Sequence, residues 1–118
     1  MKNIIVGKYI ERFNVLSGQN LPCDNIYQSE GLIVHLKNHH PNETDLIESV
    51  PDIISHPDYV GHNQKENDSI ELVKRLSNNV MVCVKLDRKE NYLYVASVFS
   101  ISDKKLMSRI ESGRLKHI

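Results

Sequence analysis

Cysteine is scarce in this chain of 118 residues: Cys23 and Cys83 are the only two, 60 positions apart, and no Cys-x-x-Cys pair exists. That excludes a disulfide-built scaffold and fits two reduced thiols. Cys83 falls inside the apolar run Val80-Met81-Val82-Cys83-Val84 and reads as a small core residue rather than a nucleophile. Long hydrophobic runs are also missing, since none approaches the roughly 20 apolar residues that cross a bilayer. The opening Met1-Lys2-Asn3-Ile4-Ile5-Val6 reads as a short strand rather than a signal peptide, so the expectation is a soluble, cytoplasmic protein with no membrane contact, unless it is cut from a larger one. Net charge is absent too, with 15 basic residues against 15 acidic ones. No Gly-rich phosphate loop, dinucleotide fingerprint or Gly-x-Ser-x-Gly elbow occurs, which sets aside nucleotide-dependent enzymes and serine hydrolases.

A hydrophobic share of 40% is enough for a real core, and the length suits one domain over residues 1–118. The charge is unevenly spread. Residues 1–84 carry 7 Lys or Arg against 11 Asp or Glu, whereas residues 85–118 carry 8 against 4. A basic C-terminal third can meet phosphate oxygens, and equally it can be a solvated helix and turn.

Periodicity divides the chain into helices first and strands afterwards. A strand over Ile4–Tyr9 is followed by a short amphipathic helix, Ile10–Leu16, which ends at Ser17-Gly18. Residues 19–28 read as a connecting loop. Ser29 is placed to cap a second helix whose face is Leu32, Ile33 and Leu36, and Pro41 stops it. Asn42-Glu43-Thr44-Asp45 reopens a helix through Ile54, divided by Pro51. Beyond Ser55-His56-Pro57-Asp58 the period becomes two. Tyr59–Gly61, Ser69–Leu76, Val80–Leu86 and Tyr92–Ile101 predict a four-stranded antiparallel meander. Ser102-Asp103 then caps a last helix with Leu106, Met107 and Ile110 facing inward, closed by Ser112-Gly113. The order predicts an α+β fold, an N-terminal strand and helices packed on one face of a four-stranded antiparallel sheet with a C-terminal helix, its other face left open.

The chemistry concentrates at the end of the second helix. Plotted at about 100° per residue, His35 and His39 border the apolar face on one side and His40 on the other. Imidazole exchanges a proton near neutral pH, so three in a turn and a half could serve acid–base catalysis. Their competing roles are a surface helix residue for His35, a dipole-compatible C-terminal residue for His39 and a packed residue before proline for His40. His35 and His39 also stand four apart, the spacing of two metal ligands on one helical face, with His56, His62 or a distant carboxylate as a third. No Glu follows His35 to complete a His-Glu-x-x-His motif, and the expectation is no metal and no cofactor. Tyr92 and Tyr94 share a sheet face and could stack on bases.

Taken together, Val6-Gly7-Lys8, the run from Gly31 to Pro41, the run from Val50 to Val60 and the late strand Tyr92–Phe99 resemble the phage and mobile-element branch of the barnase, EndoU, colicin and RelE-like ribonuclease superfamily. The resemblance implies helices ahead of a four-stranded antiparallel sheet and metal-independent RNA cleavage of the toxin or effector kind, with an inhibitor or immunity protein as partner. It also implies a helix histidine, a basic residue and a strand hydroxyl around the scissile phosphate. The matching positions are His35 and His40, with His39 beside them, and Ser97, which stands where the wider group often has threonine. The basic position is open among Lys74, Lys85 and Arg114, with Lys85 the choice for catalysis and Lys74, Arg114 and Tyr94 for substrate binding. The rival reading is a non-catalytic module of the same fold that binds nucleic acid or protein. Oligomeric state is not legible.

Overall fold

The computed structural model of the chain describes residues 3–39 and 41–118, with the backbone alone for residues 39 and 41–44. His40 therefore lies outside the described residues, and His39 is placed only as the last residue of its helix. In chain order the elements are β1 (Asn3–Lys8), α1 (Glu11–Ser17), β2 (Asn25–Ser29), α2 (Gly31–His39), a 3₁₀ segment (Pro41–Ser49), α3 (Val50–Ser55), β3 (Tyr59–Gly61), β4 (Ser69–Arg75), β5 (Asn79–Asp87), β6 (Tyr92–Ile101), α4 (Asp103–Glu111) and β7 (Leu115–His117).

The expected meander is present as β3 to β6, antiparallel throughout, but it is the centre of a larger sheet. Among the described residues the sheet has seven strands, ordered β1-β2-β6-β5-β4-β3-β7, instead of four. Of the three added strands, β1 is the expected N-terminal one, whereas β2 and β7 escape a reading by pattern because they are short. Strand β2 falls in the stretch read as a loop, buries only Ile26, and owes its extended form to backbone pairing with β1 on one side and β6 on the other. Ser29 is thus the last strand residue, paired with Asn3, and does not cap α2. Strand β7 follows α4 and pairs with β3, burying only Leu115.

Helices occupy both faces of the sheet rather than one. Phe13 of α1, Leu32 and Leu36 of α2, and Ile53 and Ile54 of α3 pack on Ile70, Leu72, Val80, Val82, Val84, Leu93, Val95 and Val98. Burying a side chain such as Leu36 stabilises by roughly 2 kcal/mol, and this cluster holds most of the core. On the reverse face Leu106 of α4 joins Val73, Met81, Ile101 and Leu115 in a smaller cluster, with Ile110 half-buried against it. Two apolar residues expected to face inward do not: Met107 is 49% exposed and Ile33 is 41% exposed. Each sits at the edge of its helix stripe, beyond the reach of the sheet.

Local chemistry fixes the element ends. Gly18 ends α1 in the left-handed region at φ 73°, donating its N–H to the Asn14 carbonyl. The Asn14 carboxamide ties the following loop, donating to the Leu21 carbonyl and accepting from the Leu21 N–H, each at 2.9 Å, and from the Tyr9 hydroxyl at 2.7 Å. Pro41 ends α2 as expected, yet the chain continues as a 3₁₀ segment, and Pro51 stands in the first turn of α3 where its missing N–H costs nothing. Ser102 caps α4 by accepting from the Lys105 N–H at 3.1 Å, worth about 1 kcal/mol.

The chain needs no side chain at Gly61, where β3 is squeezed between β4 and β7. A Cβ there would run into the Arg114 carbonyl oxygen. Gly61→Ala is expected to destabilise the protein by about 3 kcal/mol, read as a lowered urea midpoint, because neither backbone can give way. An unchanged midpoint would show that β7 is not held against β3.

Candidate active-site groove

Strict alternation along β6 would place Ser97 on the same face as Leu93 and Val95, in the core. The register prevents it: Val84 pairs with Val95 while Cys83 pairs with Ser97, so Ala96 has no partner and forms a bulge. From Ser97 onward the faces exchange. Ser97 now stands in one cross-strand row with Cys83 and Glu71, and the neighbouring row is Tyr94, Lys85 and Ser69. Both rows lie on the face that α4 covers only in part.

Helix α2 reaches this place because β2 runs parallel to β6, with Ile26 level with Leu93 and Tyr27 with Tyr94. Continued in that register, the chain leaves β2 beside Ala96 and enters α2 at the bulge. Leu32 and Leu36 anchor the helix in the core, and His35, on the border of that stripe, is turned to the groove.

The result is a groove of about 340 Å³ whose walls include His35 from α2, Glu71 from β4, Lys85 from β5, Ser97 from β6, and Arg109 and Arg114 from α4 and the turn after it. His35, Lys85, Ser97 and Arg114 are therefore brought together as candidates. Lys74 is not. It shares the face of Ile70 and Leu72, on the other side of the sheet, and its ammonium donates to the His56 carbonyl at 2.8 Å. Tyr94 lies directly across from Lys85, at the groove's end rather than in its wall, with its ring 5.8 Å from that of Tyr92. Tyr92 in turn meets Tyr27 edge-on, so these rings form a half-buried aromatic rim.

Charge in the groove is partly balanced. Arg114 grips Glu71 in a fork, Nε to Oε1 at 2.8 Å and Nη2 to Oε2 at 2.6 Å. Glu71 is only 5% exposed, and this hydrogen bond raises the Arg114 pKa above the ordinary arginine value. Lys85 donates to Glu66 at 3.2 Å. Arg109 has no such carboxylate among the described residues. Its Nη1 donates to the Met81 sulfur at 3.7 Å, and burial, then the nearby Arg114 charge, pull its pKa below the ordinary value. The groove thus offers three cations to two carboxylates, and Arg109 is the surplus. Sequence reasoning missed both Arg109 and Glu71; the signal for Glu71 was a carboxylate in mid-strand between apolar residues. The Ser97 hydroxyl is buried and hydrogen-bonded to nothing among the described residues. Leaving such a group unpaired costs about 1–3 kcal/mol, a cost that an anionic oxygen could relieve.

His62 borders a larger groove of about 500 Å³ between the end of α1 and β7, where its Nε2 donates to the Glu66 carbonyl at 2.7 Å and its Nδ1 accepts from Gln19 at 3.3 Å, so both nitrogens are engaged. Among the described residues no group of three or more His, Cys, Asp or Glu is placed to hold a metal ion. No described helix is long and apolar enough to cross a membrane.

The fold and site define a mixed α+β domain with a cation-lined groove over a strand bulge. More particularly, the chain belongs to the family described as phage-Barnase-EndoU-ColicinE5/D-RelE like nuclease3, whose family model matches residues 4–108. Arg109 and Arg114 lie beyond the matched residues. No curated protein and no solved structure matches the chain.

Cys83 lines the groove instead of sitting in the main core, but burial, with the Glu71 charge second, pushes its thiol pKa up to about 12. Only about one in ten thousand Cys83 thiols is then ionised at pH 8, which removes it as a nucleophile. A disulfide reagent added to native protein is expected to titrate one thiol, the exposed Cys23, and the second only after denaturation. Rapid reaction of two thiols in the native state would contradict this placement.

Proposed function

We propose that the groove cleaves RNA without a metal, taking the family's nuclease character as its starting point. The observation that carries this reading is the meeting of His35, Lys85 and Ser97, from three separate elements, in one groove. Cleavage by internal transfer needs a base to take the proton from the 2′-hydroxyl as that oxygen attacks phosphorus. An acid must then protonate the 5′-oxygen as its bond to phosphorus breaks. His35 supplies one of these transfers. The second belongs to His39, the last residue of that helix, or to His40, the next in sequence, whose side chains are outside the described residues. Lys85 and Arg114 offset charge on the crowded phosphate, and the Ser97 hydroxyl donates to one of its oxygens. Tyr94, on the rim, is a stacking surface for a base.

The same reading takes residues 1–118 as one ribonuclease-like domain working in the cytoplasm, where RNA cleavage endangers the host and calls for an inhibitor or immunity partner. A second reading, a non-catalytic module that binds nucleic acid or protein through the same groove, draws on one observation: Lys85 and Arg114 are already ion-paired with Glu66 and Glu71.

Incubation of the purified protein with labelled RNA in EDTA separates them. Cleavage should persist in the chelator, fall by about 10²- to 10⁴-fold in a His35→Ala, His40→Ala double variant, and fall by about tenfold or more in Ser97→Ala. RNA left intact by wild-type protein that still binds it would establish the binding module instead.

A further inference from the structure

Arg109 is not the far wall of the groove but its junction with another. Beyond it a second groove of about 490 Å³ runs over α4, with Lys104, Lys105, Ser102 and Ser108 in its walls and Arg109 and Arg114 shared with the first. Among the described residues no carboxylate lines it. Asp103, the acidic residue of that turn, is held away: its Oδ1 accepts from the Asn79 carboxamide at 2.7 Å and lies 3.8 Å from Arg75. Helix geometry explains the segregation, because Lys104, Lys105, Ser108 and Arg109 fall within an arc of about 140°. Leu106 and Ile110 take the opposite side, against the sheet.

A partly buried guanidinium with no ion-paired carboxylate among the described residues favours an anion, and a row of ammonium and hydroxyl groups leading away from it favours a chain of anions. We propose that α4 carries a second phosphate subsite, in which Arg109 bridges the scissile phosphate and its neighbour and Lys104 and Lys105 hold the backbone that follows. A single polynucleotide strand then passes from the sheet onto α4. This rests on the ribonuclease reading for the scissile phosphate alone. The α4 subsite is a matter of binding.

The test is a Lys104→Gln, Lys105→Gln double variant, both side chains being exposed, with circular dichroism to verify its fold. Fluorescence anisotropy with a labelled, fully 2′-O-methylated decanucleotide reads binding without cleavage. The variant's affinity should drop by about tenfold, and the slope of log affinity against log salt should shrink by about one to two. On cleavable RNA, the ratio of kcat/KM for a decanucleotide to that for a dinucleotide should fall by about tenfold as well. Unchanged decanucleotide affinity, or wild-type protein that does not bind the probe, overturns the subsite. The two failures are distinguishable. RNA cut by wild type with no difference in the variant removes the subsite and leaves the nuclease, whereas probe binding lost in the variant and RNA intact throughout removes the nuclease and leaves the subsite.

Discussion

A single unpaired residue in β6 governs which side chains can meet. Side chains along a strand alternate with a period of two, so an odd insertion exchanges the faces of everything after it. Ala96 is that insertion. Before it, Leu93 and Val95 enter the main core; after it, Val98 does, and Ser97 and Phe99 turn to the opposite face. Both halves of β6 therefore contribute to one continuous core although their sequence parity differs. Pairing of β6 with β2 stops at Tyr94, short of the bulge, and α2 follows β2 on that side. The bulge brings the Ser97 hydroxyl to the groove that His35 of α2 also lines.

The two faces of the sheet do different work. The face under α1, α2 and α3 is apolar and closed, and supplies most of the burial. The reverse face is only partly covered, because α4 presents a narrow stripe of Leu106 and Ile110. What it leaves uncovered is polar, and its polar groups are organised by charge. Glu71 is nearly buried, and its fork with Arg114 fixes the turn between α4 and β7 against the middle of the sheet. Such a pair is a weak source of net stability, but losing either partner strands a charge in a low-dielectric site. Its value here is positional. By occupying both oxygens of Glu71, Arg114 leaves Arg109 without an ion pair of its own among the described residues, at the meeting of two grooves.

Elements with strong period or strong punctuation were legible from the residues. The four strands from Tyr59 to Ile101, the Ser102 cap, the Gly18 and Gly113 ends and the stop at Pro41 all follow from local chemistry that needs no partner. Strands β2 and β7 did not show, because each buries one side chain and is extended only through its neighbours. The candidate site was half legible. His35 stood out on its helix border and Ser97 through the family likeness, while Lys74, Lys85 and Arg114 looked alike until the sheet put Lys74 on the face away from the groove. Arg109 carried no signal that separates it from a solvated helix residue.

By itself, the sequence determined the class of fold and the histidine-bearing end of α2. Hydrophobic period and caps act over a few residues and are written locally. Tertiary structure decided which face each polar residue takes, since one bulge reverses parity and no local pattern marks it. It also decided which groove cation has no ion-paired carboxylate among the described residues, because Glu71 and Arg114 are 43 positions apart and only the packing of β7 beside β3 brings them together.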